Sequence, residues 1–413
     1  MISKKVLAWG MYDFANTIYS ALFVTFFFPA YVKNYLHGTE FMIGAVFSIS
    51  MLLVGLAVPV LGAISDMMKR RMPFIVVFTI LNCIAVVLVA HASLGLALLL
   101  ALAANFFYHA GLHVYNALLP DVAEGHGLGE VSGIGVAMGY LGTLLSLGVA
   151  YVIVNLSGLD PREGIVGVFY ATSILFFLLS LFTFFGVDEP VIRVKSKGFS
   201  QTLHHAASRV FDGVKDISRR CSLRSFLTAN FFFTNAMNSV ILFLFLYSQE
   251  TFGLTVNAFF PAYTLFAVGA AAGAFVFAQP IDRFGPTIMM KIAGWIWLAV
   301  IGGLLAIRSN VSIRILTFGI SPYTAFLLAG TIGGAALGLV WSANRPLLIS
   351  LVPRNKLGEY FGFLELSDKF SGVLGPVVFG FLATFYGYGW ALLSLLGFFG
   401  AGLYFLGDVT EGS

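Results

Sequence analysis

Of the 413 residues, 59% are hydrophobic and only 10% are charged, whereas soluble domains carry about 25% charged residues. So much apolar surface excludes a single water-facing globule and makes lipid part of the solvent. The formal net charge of +4 does not indicate nucleic acid, because its placement along the chain has a topological cause.

Runs of about 20 mainly apolar residues, the length a membrane-crossing helix needs, occur twelve times. They cover residues 6–34, 41–64, 73–92, 96–119, 130–156, 165–187, 223–250, 257–279, 287–307, 322–343, 356–384 and 387–407. Long continuous runs point to helices and not to barrel strands, which would be short and alternating. The two cysteines, Cys83 and Cys221, suggest neither a disulfide framework nor a CxxC metal site.

The first run contains "DFANT", which sets Asp13, Asn16 and Thr17 inside an otherwise apolar helix. A carboxylate at membrane depth is costly and marks a functional candidate. This run is too long for a signal-peptide core and has no small-residue cleavage site after it, so it is expected to stay as an anchor. The second run leads into "GAISDMMKRR", with Gly62, Asp66, Arg70 and Arg71. The fourth carries Asn105, His109, His113 and Asn116 along one helical face. His109 and His113, at i and i+4, could share a metal, yet no third ligand lies near them in sequence.

Residues 188–222 are the largest polar interruption. Leu203, Ala207, Val210, Phe211, Val214, Ile217 and Cys221 recur there at three- and four-residue spacing, opposite His204, His205, Arg209, Asp212, Lys215 and Arg219. This reads as an amphipathic helix on the cytoplasmic membrane surface, or else as a solvated linker. The seventh run offers Asn230, Thr234, Asn235, Asn238 and Ser239, and the loop after the eighth, "AQPIDRFGPT", holds Asp282 and Arg283. In the eleventh, Glu365, Asp368 and Lys369 are spaced i, i+3, i+4 and share a face.

With the N-terminus in the cytoplasm, eighteen Lys and Arg fall on the inside. The outside holds only Lys33, Arg162, Arg308 and Arg314. This asymmetry obeys the positive-inside rule, accounts for the net charge and places both termini in the cytoplasm.

Internal symmetry supports two homologous halves. "DFANT" at 13–17 aligns with "NAMNS" at 235–239, and "LGEVSG" at 128–133 with "LGEYFG" at 357–362, at offsets of 222 and 229. The domains expected are a bundle over 1–187, a linker over 188–222 and a second bundle over 223–413.

The loops at 62–71 and 278–287 each resemble part of the signature loop of the major facilitator superfamily, Gly-x3-Asp-Arg/Lys-x-Gly-Arg/Lys-Arg/Lys. The first keeps Gly62, Asp66, Arg70 and Arg71; the second keeps Asp282, Arg283 and Gly285. The glycine permits close helix approach, and the aspartate can accept bonds from a neighbouring helix end, which would make a conformational latch. Positive-inside charge alone explains the arginines but not the two aspartates. "YDFANT" at 12–17, "YNALLPDVA" at 115–123, "GIGVAMGYLG" at 133–142 and the long segment 345–380 are similar to the vacuole-effluxer-like branch of that superfamily, which includes autophagy-related amino-acid effluxers and their prokaryotic relatives.

The resemblance implies an all-α integral membrane protein, with twelve transmembrane helices in two pseudo-symmetric six-helix bundles around a central cavity. It implies alternating access and, for the vacuolar members, efflux of neutral amino acids such as leucine. The first, fourth, seventh and tenth spans would line the cavity. Membrane-embedded polar groups face protein or water, so the polar stripes mark the interior, with interhelical packing the preferred reading of the Asn, Ser and Thr residues and function that of the ionisable cluster. In the eleventh span Lys369 can neutralise only one of Glu365 and Asp368, and the surplus acid needs a proton, a cation or a substrate ammonium group.

The expected function is secondary transport of a small polar organic solute, an amino acid on the resemblance, coupled to protons. Glu365 or Asp368, with Asp13, would be the coupling acid; His109 and His113 are the second candidates. Asp13 sits about two turns from the cytoplasmic end, at 1.5 Å per residue, so a gate or latch weighs as much there as binding. No HExxH, GxSxG or phosphate-loop pattern appears, so an enzyme is not expected. Neither a cofactor nor a resident metal is expected, and the chain is read as a monomer in a multi-pass cell membrane, in contact with lipid. A carrier for a metal complex, haem or a lipid-like amphiphile, or a channel, stands as the alternative.

Overall fold

The computed structural model describes residues 3–38, 40–68, 70–189, 212–254, 256–308 and 321–411. Apolar side chains leave lipid no means of pairing the backbone, so the spanning segments satisfy it internally as helices. No strand occurs among the described residues.

The first span joins α1 (Lys4–Ile18), a π-helical stretch (Tyr19–Phe27) and α2 (Phe28–Tyr35). Ser3 caps it by accepting the Val6 amide at 3.2 Å, and within the π stretch Thr25 Oγ1 donates to the Ser20 carbonyl five residues back. There follow α3 (Glu40–Met68), α4 (Met72–Val89), α5 (Leu94–Asn116), the short α6 (Leu119–Val122), α7 (Leu128–Tyr151) and α8 (Pro161–Gly186). The remainder comprises α9 (Cys221–Phe252), α10 (Val256–Val276), α11 (Ala278–Phe284), α12 (Pro286–Arg308), α13 (Pro322–Leu351), α14 (Leu357–Tyr386) and α15 (Tyr388–Gly407).

Each of the twelve apolar runs falls on a helix. Ten helices among the described residues are long and apolar enough to cross a bilayer; α10 and α11, bent by 41° at their junction, make an eleventh. The remaining run, 41–64, lies in the 29-residue α3. Two boundaries differ from expectation. The fourth run stops at Asn116 and not 119, and a separate turn begins beside Pro120. The tenth continues past 343 to Leu351, because donors of its polar residues are met inside the protein: Ser342 Oγ donates to the Gly338 carbonyl and Asn344 Nδ2 to Asn230 Oδ1. The amphipathic segment expected within 188–222 lies largely outside the described residues, with His204, His205 and Arg209. Its described part is helical over residues 212–219, and there Val214, expected on the apolar face, is 49% exposed.

Two compact units emerge. One holds 1–126, 138–214 and 353–366; the other holds 127–137, 215–352 and 367–413. The first ten residues of α14 are thus counted with the first unit and the first ten of α7 with the second. In the second unit α10 and α13 meet along small residues: Gly273 leaves no room for a side chain against Ala335, nor Gly338 against Ala270. Such seams let membrane helices gain dispersion energy where lipid removes the hydrophobic drive.

Candidate functional site

In the first unit α1 and α5 meet through a buried aromatic column. Trp9 stacks on Tyr115 at 4.6 Å, and the Tyr12 ring lies 4.7 Å from it. The Tyr12 and Thr79 hydroxyls share a 3.0 Å hydrogen bond, and Tyr115 donates to the Trp9 carbonyl. This packing holds the polar face of both helices in place. Asp13, Asn16, Asn105 and His113 are all buried to at least 95%. Thr17 Oγ1 donates to the Asp13 carbonyl at 2.7 Å and to the Gly139 carbonyl at 2.8 Å. Asn105 Nδ2 donates to Ser50 Oγ at 2.9 Å, and Asn116 is half-buried one turn beyond His113. Asn16 Nδ2 and the Oδ1 atoms of Asn105 and Asn116 have no hydrogen-bond partner among the described residues.

Within the helices of this unit, His109 pairs with Glu365. His109 Nδ1 lies 3.1 Å from Glu365 Oε1, with both side chains nearly buried, and the Tyr108 ring stands edge-on to the imidazole. One helical turn along α5, the His113 ring sits against the backbone of Gly358 and Phe361. Gly62 is packed so closely on the Gly358 carbonyl that no side chain fits.

The second unit carries a different constellation. Asn344 Nδ2 donates to Asn230 Oδ1 at 2.7 Å, and Asn230 Nδ2 donates to Asp368 Oδ1 at 2.6 Å. Thr234 Oγ1 donates to the same carboxylate oxygen at 3.2 Å. Asn235 Nδ2 donates to the Phe231 carbonyl and Ser239 Oγ to the Asn235 carbonyl, while half-buried Asn238 faces Gly372. Among their partners, Glu365 has His109 in the first unit, and Asp368 has the Asn230 amide and the Thr234 hydroxyl in the second. Lys369 is half-buried beside Asp368. His109 and His113 do not converge on a third ligand; among the described residues no group of three or more His, Cys, Asp or Glu could hold a metal.

Asp282, expected in a loop, lies within the short helix α11 and caps another helix. Its Oδ1 accepts the Gly129 amide at 2.6 Å and its Oδ2 the Glu130 amide at 2.7 Å, at the positive end of α7. Arg283 lies over the Phe284 ring at 5.3 Å. Arg71 Nη1 donates to Asp121 Oδ2 at 2.9 Å, and Lys5 Nζ to the Asp121 carbonyl at 2.7 Å. Arg70 is exposed, and the side chain of Asp66 lies outside the described residues.

Two capping residues and three members of the polar network escaped the sequence candidates. Glu189 accepts the Arg71 and Met72 amides at the start of α4, and Glu411 accepts the Thr287 amide at the start of α12. They stand 222 residues apart, the offset of "DFANT" and "NAMNS", and that coincidence was the available signal. Asn344, Ser50 and Asp121 had no comparable marker, since single polar residues in helices and loops are common.

A family model described as Major Facilitator Superfamily matches residues 12–313 and 262–412. YxiO, an uncharacterized MFS-type transporter of Bacillus subtilis (strain 168), is 24% identical over 425 residues, covering 99% of this chain and 95% of its own. The multidrug resistance protein MdtG of Salmonella typhi is 26% identical, covering 84% and 79%. Among solved structures, FucP in an outward conformation aligns with a TM-score of 0.73 at 14% identity, over 99% and 98% of the two chains. The proton:xylose symporter XylE aligns at 0.71 and 14%, over 99% and 95%. These structural likenesses show the fold, twelve helices in two bundles.

Proposed function

The chain belongs to the major facilitator superfamily, and we propose that it is a proton-coupled carrier of a small polar organic solute, an amino acid, working by alternating access. The observation that carries the coupling is the His109–Glu365 pair, two titratable groups 3.1 Å apart and nearly buried. Removing water makes their attraction depend strongly on protonation, so a proton arriving or leaving changes how firmly α5 holds the start of α14. The amino-acid reading rests on "YDFANT" and the other segments similar to the vacuole-effluxer-like branch. Asp282, with its two amide partners, is the latch candidate in this scheme, and both termini lie in the cytoplasm.

The test is leucine uptake into proteoliposomes with an imposed pH gradient. The gradient should accelerate uptake by the unaltered protein. Glu365→Gln and His109→Gln should keep leucine counterflow and lose the response to the gradient; Asp13→Asn and Asp368→Asn are run beside them. A gradient-insensitive unaltered protein, or variants that respond as it does, would sink the coupling. The similarity to MdtG, a multidrug resistance protein, favours a second reading as an exporter of an amphiphilic cation, and tetraphenylphosphonium belongs in the same panel.

A further inference from the structure

The linker helix over residues 212–219 meets the start of α14 through a glycine. A side chain at Gly213 would run into Glu359 Oε1 and, at 2.8 Å, into the Phe363 ring, so the linker backbone lies directly on the carboxylate. Neither obstacle can swing aside, because Glu359 is 0% and Phe363 8% exposed. Gly213, Glu359 and Phe363 all belong to the first unit. The internal repeat makes this seat one-sided. "LGEVSG" and "LGEYFG" set Glu130 and Glu359 at the same place, yet Glu130 is half-buried where Glu359 is sealed. Beyond Glu130, α7 carries no charged residue, whereas α14 goes on to Glu365. The cover thus lies on the span that bears the titratable pair.

We propose that Gly213 is a positioning residue: the linker helix, seated on Glu359 and Phe363, holds the start of α14 so that Glu365 stays against His109. Glu365 lies about 9 Å along the helix from Glu359, at 1.5 Å per residue, and closer still to Phe363. Its 3.1 Å contact with His109 tolerates little movement, since a shift of about 1 Å takes such a pair beyond hydrogen-bond range. Gly62, packed on the Gly358 carbonyl, fixes α14 at one point and leaves it free to turn there. A second seat, from the linker, fixes the rotation as well. The proposal rests on the coupling role given above to the pair, and adds what holds one member of it in place.

The test is a double-mutant cycle in the melting temperature of the purified full-length protein, read without substrate. Glu365→Gln should shift the transition of the unaltered protein. With Gly213→Val already present that shift should fall to about half or less, because the contact is already open and interacting sites depart from additivity. Gly213→Ala should act in the same direction, and adding Glu359→Asp should restore the shift, since a carboxylate one methylene shorter makes room for the new methyl. Where Gly213→Val fails to fold, Phe363→Leu takes its place, removing the ring from beneath the linker and adding no bulk. Equal shifts in both backgrounds overturn the positioning. A Glu365→Gln change without effect in the unaltered protein overturns it too, since there is then no contact to hold. A protein that obeys the cycle but ignores a pH gradient in vesicles loses the coupling and keeps the positioning. One that answers the gradient with additive shifts keeps the coupling and loses the positioning.

Discussion

Gly142 and Gly375 do the same job in the two units. A Cβ on Gly142 would meet the Phe14 carbonyl, and one on Gly375 would meet the Asn235 carbonyl and, at 2.8 Å, Ser239 Oγ. The obstacles include helix backbone, which cannot rotate away as a side chain can. Gly375→Ala and Gly142→Ala should therefore each lower stability by about 1–3 kcal/mol through overpacking. Gly397→Ala, with nothing within 4 Å of its added methyl, should hold stability or raise it slightly, since alanine favours helix. Thermal unfolding of the purified variants decides this, and equal losses at all three positions would refute it. The pairing of these glycines with "DFANT" and "NAMNS" also shows how the site could be read. Asn16, Asn105, Asn235 and Asp368 stood out because polar atoms in apolar runs must face protein. Their partners did not, because which of several asparagines meets which carboxylate depends on the rotation of each helix about its axis, and periodicity leaves that free.

The ends of α8 and α15 repeat a single device. Each chain segment leaving its helix turns a carboxylate, Glu189 or Glu411, onto amides at the start of a neighbouring helix that opens with proline at its first or second position. These amides have no intrahelical acceptor, and the helix dipole favours a negative charge there. Glu411→Gln and Glu189→Gln should each lower stability by about 0.5–2 kcal/mol, the range for losing a cap, and the loss should shrink at high salt. A salt-independent effect would assign it to packing instead. Helix positions were legible because lipid demands continuous apolar runs, and twelve of those are hard to miss. Helix ends were less so. The 41° bend between α10 and α11 and the π stretch Tyr19–Phe27 arise from local backbone choices that hydropathy does not register, whereas Asn344 made α13 look shorter than it is because its polarity is answered from another helix.

The orientation expected from the positive-inside rule can be checked with a native thiol. Cys221 is exposed and Cys83 buried, so an impermeant maleimide should modify one residue. Cys221 begins α9, on the side assigned to the cytoplasm, so labelling should fail in intact cells and succeed in inverted vesicles; the opposite pattern would reverse the topology. The latch reading of Asp282 is a question of equilibrium. Its carboxylate holds the Gly129 and Glu130 amides at 2.6 and 2.7 Å, and on the latch reading proposed above the carrier would release that grip and restore it in each cycle. Asp282→Asn removes the charge and keeps the shape, which weakens the closed arrangement by about 1–2 kcal/mol, a factor of roughly 5–30 in population. Val131, 0% exposed one residue beyond Glu130, is a suitable reporter as Val131→Cys with Cys83→Ala and Cys221→Ser. Its alkylation by a small maleimide should quicken by that factor when Asp282→Asn is added, provided release of the first turn of α7 is what uncovers it. An unchanged rate, with the variant as stable as its parent, would make Asp282 a helix cap and nothing more.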